Sequence, residues 1–236
     1  MKLTNLCRIE WYRFLHSMEI MKYIFVVLVG LLTMSYLNIS NQDMAMEGNV
    51  IWASIGPAFF YLISFICVIN AVYIGREFAK KTICHEFMSG YSFTQIAISK
   101  TMTCGVVYAL IIGFGICCYF SVVDDNWWSG NTVRLILLFV LLLHICACTV
   151  LYVLVFRNGI LGGAVALLRL LALETAVQSL FAENARLKFW CITSQWFGIV
   201  DTRTEITGFF VAAVVMSAVC EVLLLVTMGN VMRKMS

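Results

Sequence analysis

Long apolar runs alternate with short polar intervals along almost the whole chain. A helix needs about 20 apolar residues to cross a hydrocarbon core about 30 Å thick, because each residue rises about 1.5 Å. Runs of about this length lie at residues 22–37, 51–74, 101–122, 133–156, 160–181 and 207–231. The pattern predicts an all-α membrane protein with six transmembrane helices, in which residues 1–236 form a single domain.

The N-terminal residues 1–21 carry a different pattern. Apolar side chains between Leu3 and Met18 recur at steps of three and four, which is typical of an amphipathic helix. The opposite, polar face is formed by Lys2, Arg8, Glu10, Arg13 and Glu19. We expect an interfacial helix on the membrane surface, with a terminal extension of the first span as the alternative. The charges of Glu10 and Glu19 argue against a cleavable signal peptide.

Three short features mark the ends of the predicted spans. Pro57 predicts a bend near the outer end of the second span, because proline removes one helical hydrogen bond. Residues 124–130 predict a loop whose tandem Trp127 and Trp128 suit the membrane interface better than ligand stacking. The turn at residues 157–159 is so short that the fourth and fifth helices must be antiparallel neighbours.

Residues 182–206 mix charges with an unusual amount of apolar and aromatic surface. The apolar members are Leu187, Phe189, Trp190, Ile192, Trp196, Phe197, Ile199 and Val200. A solvated loop would not carry so many large apolar side chains. The segment therefore predicts a short amphipathic or partly re-entrant helix against the outer leaflet.

Composition and charge place the chain in a membrane and orient it. Hydrophobic residues make up 62% of the chain and charged residues 12%, against roughly 45 to 50% and 25% in soluble domains. Eleven of the 16 Lys and Arg lie on the side that holds both termini, and four lie on the other side. The positive-inside rule makes the first side cytoplasmic, so we expect a multi-pass plasma-membrane protein with both termini in the cytoplasm. No run of basic residues exceeds two adjacent positions, which argues against nucleic acid as a partner.

The ten cysteines do not predict a disulfide framework. Nine of them lie in predicted spans or cytoplasmic segments, and Cys191 alone lies in a predicted external loop. Cys146 and Cys148 sit inside an apolar run, where cysteine behaves as a small hydrophobe. The sequence offers no complete ligand set for a metal there.

Four ionisable residues fall inside predicted spans: His144, Arg169, Glu174 and Glu221. Charges at this depth are costly and usually find a partner or face a water-filled cavity. Arg169 and Glu174 lie about 140° apart around their helix, so they are poor partners for each other. Arg169 and Glu221 lie at similar depths, which predicts an ion pair between the fifth and sixth helices. Its role is either structural or part of a substrate path or gate.

Residues 76–100 form the longest polar interval between two spans. The charged residues from Arg76 to Lys81 extend the second helix, and Ala79, Ile83 and Phe87 lie at steps of four in one apolar stripe. We expect Ser89-Gly90 to break the helix and Ser92 to cap the next one. We expect Lys100 to lie at the membrane surface. We also expect exposed side chains at Lys80, Lys81, His85 and Glu86.

Several motifs of common enzymes are absent from the sequence. Without a GxxxxGK[ST] sequence the chain has no phosphate-binding loop of its own. The HExxH and GxSxG motifs are also absent, which argues against the common membrane metalloproteases and serine hydrolases. If nucleotide hydrolysis drives this protein, another polypeptide performs it.

The polar interval resembles the cytoplasmic loop of the ABC-2 type transporter permeases. The matching positions are Glu77, Thr82-Ile83, the run from Phe87 to Ser92, Ile96 and Lys100. The six-span layout is also similar, and the nearest likeness is to small Gram-positive permeases of lantibiotic or bacitracin immunity or export. Gly90 and Phe93 depart from the pattern, since the family usually has a proline or turn residue at the first and arginine at the second.

The resemblance implies a permease subunit that is not itself catalytic. Residues 76–100 would be a coupling segment that docks on a separate ABC ATPase subunit, which would bind the ATP and magnesium, while this chain binds no cofactor. We expect the contacts at Glu77, Lys80, Lys81, Thr82, Ile83, Phe87, Ser92 and Lys100. A second permease chain, identical or different, would complete the path for an amphipathic peptide or lipid-like substrate.

Two other functional classes remain open from the sequence. One is a non-transporting membrane scaffold or sensor whose cytoplasmic loop binds a regulator. The other is an intramembrane enzyme that uses His144, Arg169, Glu174 or Glu221.

Overall fold

The computed structural model describes residues 3–17, 21–22, 25–26, 29–30, 33, 58–123, 127–180, 184, 187, 189–200 and 205–235. All regular elements in these residues are helical. In chain order they are α1 (Leu3–Leu15), α2 (Ala58–Ala79), α3 (Thr82–Met88), α4 (Phe93–Val123), α5 (Trp127–Phe156), α6 (Gly159–Leu167), a π-helical segment (Leu168–Leu173), α7 (Glu174–Leu180), α8 (Ile192–Val200) and α9 (Gly208–Met235). The segments α6, π and α7 form one uninterrupted helical stretch.

Four stretches of the described chain are long and apolar enough to span a membrane. They are Phe93–Ile111, Thr132–Phe156, Gly159–Leu180 and Gly208–Met228. The last three agree with the predicted fourth, fifth and sixth spans to within three residues. Most of the predicted first span, the whole of loop 38–49 and Pro57 lie outside the described residues.

Helix α4 begins directly after the predicted cap at Ser92, which is confirmed. The helix that starts at Phe93 continues into the expected third span, which began at residue 101. A reciprocal cap explains the start, because the Ser92 side chain accepts from the Gln95 N–H at 3.2 Å and the Gln95 side chain accepts from the Ser92 N–H at 3.0 Å. The predicted break at Ser89-Gly90 is present as well, since α3 ends at Met88 and Gly90 has a φ of 86°.

Helix α5 is the centre of the packing. It contacts α2, α4, α6, α8 and α9, and 72% of an 18-residue apolar window within Thr132–Phe156 is buried inside the protein. By contrast, only 22% of the corresponding window within Gly159–Leu180 is buried, so this stretch lies at the periphery of the chain. The expected loop at residues 124–130 is wrong in its second half, because α5 already begins at Trp127.

The turn between α5 and α6 makes these helices antiparallel neighbours, as predicted. Arg157 takes a left-handed conformation with a φ of 51°, which reverses the chain. The Asn158 side chain then accepts hydrogen bonds from the N–H groups of Ile160 and Leu161 at 2.9 and 3.2 Å. This N-cap satisfies the first free donors of α6.

Helix α1 packs along α4 and buries Leu6 and Phe14. The Phe14 ring meets the rings of Tyr73 and Tyr108 edge-on, at centroid distances of 5.0 and 6.2 Å. The sequence placed Glu10 on the polar outer face of this helix, and that placement is wrong. Glu10 is fully buried, because it meets charged and hydroxyl partners from α2 and α4.

Candidate functional site

The candidate coupling segment is built around the short helix α3. Lys80, Lys81 and His85 are exposed, as the sequence predicted. Thr82 is half-buried at the start of α3, and Met88 is 73% exposed at its end. The segment therefore presents a basic and partly apolar surface.

The predicted stripe of Ala79, Ile83 and Phe87 does not form one face. Ile83 is buried, whereas Ala79 is exposed and Phe87 is 43% exposed. The turn between α2 and α3, where Lys81 has a φ of 57°, separates Ala79 from the other two, which both lie within α3. A left-handed residue ends the helical register, so the four-residue spacing does not carry across it.

Behind α3 lies a buried group of charges that we call the charge cluster. Its members come from α1, α2, α3 and α4 and are Glu10, Arg13, Glu77, Glu86 and Lys100. Glu86 is 5% exposed, so its predicted exposure is wrong. It faces inward because its carboxylate pairs with the guanidinium of Arg13.

Lys100 is the centre of the charge cluster. Its Nζ lies 3.0 Å from Glu10 Oε1, contacts Glu77 Oε2 directly and lies 4.0 Å from Glu86 Oε2. The expected position of Lys100 at the membrane surface is therefore wrong, since the side chain is completely buried. An ammonium among three carboxylates has enough partners to stay charged within the helix packing.

Hydrogen bonds complete the surroundings of Glu10. The Tyr73 hydroxyl donates to Glu10 Oε2 at 3.0 Å, and the Arg13 guanidinium donates to Glu10 Oε1 at 3.2 Å. The Lys100 ammonium also lies 5.7 Å from the centre of the Tyr73 ring. The side chain of Glu10 thus joins α1 to α2 and to α4.

The carboxylates of the charge cluster are not equivalent. Burial alone would raise the pKa of Glu10, but the charge and hydrogen bond of Lys100 hold it below its usual value. The pKa of Glu86 is raised, because burial and the negative charge of Glu10 outweigh its cationic neighbours. Three carboxylates face two cations, so the cluster carries one excess negative charge when all five groups are ionised.

The same three carboxylates have a spacing that could hold a metal ion. One oxygen each from Glu10, Glu77 and Glu86 lies within 4.8 Å of the others. However, the Lys100 ammonium lies against all three and supplies the positive charge that a metal would bring. The arrangement is therefore that of an ion-pair network.

A second group of charges, which we call the interhelical cluster, joins α5, the π-helical segment and α9. Arg169 donates to both carboxylate oxygens of Glu221, at 2.9 and 2.7 Å, so the predicted pair is present. His144 Nε2 lies 3.8 Å from the same carboxylate. The Arg169 side chain is 26% exposed, and its guanidinium lies 5.8 Å from the centre of the Tyr152 ring.

Neutral polar groups extend the interhelical cluster to α8. His144 Nδ1 lies 3.5 Å from Ser217 Oγ, and Gln195 Nε2 donates to Ser217 Oγ at 3.0 Å. Gln195 also donates to the Phe189 carbonyl at 2.9 Å, before the start of α8. A continuous polar chain therefore runs from the π-helical segment through α5 and α9 to α8.

The helix α8 is held by charges at both ends. Glu174 Oε2 accepts from the N–H groups of Ile192 and Thr193 at 2.6 and 3.4 Å. At the other end, Arg134 Nη1 donates to the carbonyls of Gly198 and Ile199 at 3.1 and 2.7 Å. Each charge lies at the end of the helix dipole that it stabilises. The sequence predicted a short helix here and singled out Glu174, but it gave no role in capping to Glu174 or Arg134.

The charge cluster lies at one end of the long helices, whereas the interhelical cluster lies near their middle and connects to α8 at the other end. The turn before α6 meets the end of α2, where a Cβ on Gly159 would lie 2.9 Å from Gly75 Cα. The beginning of α5 meets α8 through Arg134, and about 33 Å of helix separates Arg134 from Phe156. The charge cluster is next to the α2 end, and the interhelical cluster is connected to the α8 end.

Sequence reasoning missed some members of both clusters. Glu10, Arg13 and Tyr73 were not predicted to meet Glu77 and Lys100. The apolar spacing of three and four residues assigned Glu10 and Arg13 to a solvent face. No local signal shows that a helix packs with its charged side inward. The polar residues Gln195 and Ser217 were also missed, although such residues in apolar segments commonly make interhelical hydrogen bonds.

Comparison with known proteins adds no assignment. No protein-family model matches the chain, and no curated protein matches it.

Proposed function

We propose that this chain is the transmembrane permease subunit of an ATP-binding cassette transporter. In this proposal it has six spans, both termini are cytoplasmic, and it resides in the plasma membrane. Its substrate class is an amphipathic peptide or a lipid-like molecule, of the kind that antimicrobial-peptide immunity or export systems move. A separate ATPase subunit supplies the energy.

The single observation that carries the proposal is the way α3 is held. Glu86 of α3 pairs with Arg13 of α1 and lies 4.0 Å from Lys100 of α4. Lys100 in turn contacts Glu77 of α2, so a displacement of α3 would be transmitted to these three helices. Its outer surface presents Lys80, Lys81 and Phe87. A partner that pushes on this surface would displace the long helices, which is what a coupling helix has to do.

The absence of a phosphate-binding loop fits the same assignment. The sequence contains no GxxxxGK[ST] motif, so ATP and magnesium would bind to the partner ATPase. This chain would contribute the mechanical response and no hydrolysis. The basic residues Lys80 and Lys81 favour an acidic groove on the partner.

The face around Arg169 supports a second permease chain and a substrate path. Leu168 and Leu173 are 63% and 60% exposed on the two sides of a hollow of about 660 Å³ that Tyr152 and Arg169 also line. A partly exposed guanidinium inside a span is costly in lipid and is usually found facing protein or a water-filled path. The second permease chain would cover this face and leave the substrate between the two copies.

Purification of the complex tests the proposal directly. The tagged chain, extracted from its native membrane, should copurify with a subunit that contains a phosphate-binding loop and hydrolyses ATP. Charge reversal by Lys80→Glu and Lys81→Glu should reduce bound ATPase and ATP hydrolysis roughly fivefold to tenfold, because it places acidic groups against an acidic groove. Arg8→Glu is the matched control, since Arg8 is exposed on α1 outside the coupling segment.

The apolar contact has its own matched pair of variants. Phe87→Ala should weaken ATPase binding, whereas Phe209→Ala should leave it unchanged. Both rings are 43% exposed, so the two truncations remove the same kind of surface at different places. If no ATPase copurifies, or if the coupling variants retain full hydrolysis and transport, the permease assignment fails and a scaffold or sensor becomes the better reading.

A further inference from the structure

A groove separate from the face around Arg169 lies between α2 and α6. It has a volume of about 810 Å³, within the range of roughly 300–1,000 Å³ that small-molecule sites occupy. Its walls are mainly apolar and include Val68, Val72, Ala164 and Leu167. The small residues Gly75, Gly159 and Gly163 let the two helices approach closely at its floor, where a Cβ on Gly75 would lie 2.9 Å from Gly159 Cα.

One end of this groove is basic. Arg76 lies near the end of α2, Arg157 lies in the turn before α6, and both line the groove and are exposed. The α2 wall of the groove runs from Ala79 back to Val68, eleven helical steps that cover about 16 Å. This length is roughly half of the hydrocarbon thickness of a bilayer, that is, the depth of one leaflet.

We propose that the groove binds one anionic phospholipid, with its phosphate between Arg76 and Arg157 and an acyl chain along Val72 and Leu167. The basic rim matches the anionic headgroup, and the apolar walls below it match the acyl chain. A leaflet presents the headgroup and the acyl chain in this same order. Basic pockets between membrane helices are a recurring way to recognise anionic headgroups. The proposal requires that the helices span a membrane and does not depend on transport or on an ATPase.

The occupant is chosen by its charge and length. A zwitterionic lipid would fill the apolar part but would bring no net charge to the two guanidinium groups. A soluble phosphate ion would use the arginines and leave the apolar walls in contact with water. A second copy of the chain is a third possible occupant, and the experiment separates it from the lipid.

The test uses the full chain in detergent micelles that contain phosphatidylglycerol or phosphatidylcholine. Native mass spectrometry should show one retained phosphatidylglycerol per chain, with a preference of roughly 25-fold over phosphatidylcholine, since each of the two arginines contributes a factor of about five. The double variant Arg76→Ala, Arg157→Ala should lose this preference. The matched control Lys80→Ala, Lys81→Ala removes the same charge from exposed positions outside the groove and should keep it.

A second pair of variants tests the apolar part without touching the arginines. Ala164→Trp fills the groove and should reduce lipid retention, whereas Ala212→Trp, at an exposed position on α9, should not. Equal preference in wild type for the two lipids would overturn the proposal. So would displacement of the lipid by millimolar inorganic phosphate, or the finding that Ala164→Trp dissociates a dimer while lipid retention stays unchanged.

Discussion

The charge cluster holds three carboxylates against two cations, whereas the interhelical cluster holds one carboxylate between an arginine and a nearby histidine. Lys100 is completely buried among its partners, but Arg169 is 26% exposed beside Glu221. The charge cluster therefore depends on direct ion contacts around a fully buried ammonium, although its second cation, Arg13, is 34% exposed. The interhelical cluster continues through neutral groups to α8 and opens to its surroundings.

This difference shows how two buried networks can have different consequences within one fold. The charge cluster joins a short surface helix to the ends of two long helices, so its ions determine whether α3 and the long helices move together. The interhelical cluster joins peripheral and central helices and positions α8. We expect the charge cluster to contribute more to the free energy of unfolding. We expect the interhelical cluster to affect contacts made at the exposed face between α6 and α7.

The largest expected effect comes from removal of the central cation. Lys100→Met keeps an unbranched side chain that is one atom shorter but leaves buried carboxylates without their ammonium, which should lower the free energy of unfolding by about 3–5 kcal/mol. Unfolding in mixed detergent and sodium dodecyl sulfate micelles, followed by tryptophan fluorescence, measures this change. The control Lys80→Met, at an exposed position, should change it by less than about 0.5 kcal/mol. Equal effects of the two variants would show that the charge cluster does not hold α3.

Removal of Arg169 should have the second-largest effect. Arg169→Leu leaves Glu221 buried beside His144 and should destabilise the protein by about 2–4 kcal/mol, less than Lys100→Met because the guanidinium is partly exposed. The double variant Arg169→Leu, Glu221→Leu removes both charges and should recover at least half of the loss. A double-mutant cycle on the same unfolding assay measures the coupling. Additive losses would contradict the pair as the source of stability.

Whether each cluster could be predicted depends on whether the sequence pattern relates its partners to one another. Arg169 and Glu221 lie in long apolar runs whose depths can be counted from the span ends, so their pairing could be predicted. Lys100 was misplaced because its burial depends on partners from α1, α2 and α3. No periodicity specifies how these helices pack on α4. The long helices were therefore predictable, while the charge cluster was not.

The pH dependence of the charge cluster should separate two of its carboxylates. The folded-state pKa of Glu10 is lowered below 4.5, so its contribution to stability is present above 4.5 and is lost as the pH falls through the folded pKa. The folded-state pKa of Glu86 is raised above 4.5, so its contribution is full below 4.5 and is lost as the pH rises through the folded pKa. The two residues should therefore respond to pH in opposite directions.

Neutral variants convert this expectation into a measurement. Glu10→Gln should cost about 1–3 kcal/mol at neutral pH, and this cost should shrink as the pH falls below 4.5. Glu86→Gln should gain stability relative to the wild type as the pH rises above 4.5, because it removes a carboxyl that ionises at a cost. Thermal unfolding in detergent from about pH 2 to about pH 8 gives both slopes. Parallel slopes for the two variants would show that the carboxylates are equivalent after all.

The smallest expected effect comes from Glu174, which caps the start of α8. Glu174→Ala removes the acceptor of the N–H groups of Ile192 and Thr193 and should cost about 1 kcal/mol. Hydrogen exchange of the α8 amides should accelerate by roughly fivefold, while the amides of α3 should not change, because α8 and the charge cluster lie toward opposite ends of the helices. Glu205→Ala is the matched control, since Glu205 is exposed just before α9. Faster exchange in α3 as well would mean that the two clusters communicate, and the functions assigned to them separately would then belong to one connected network.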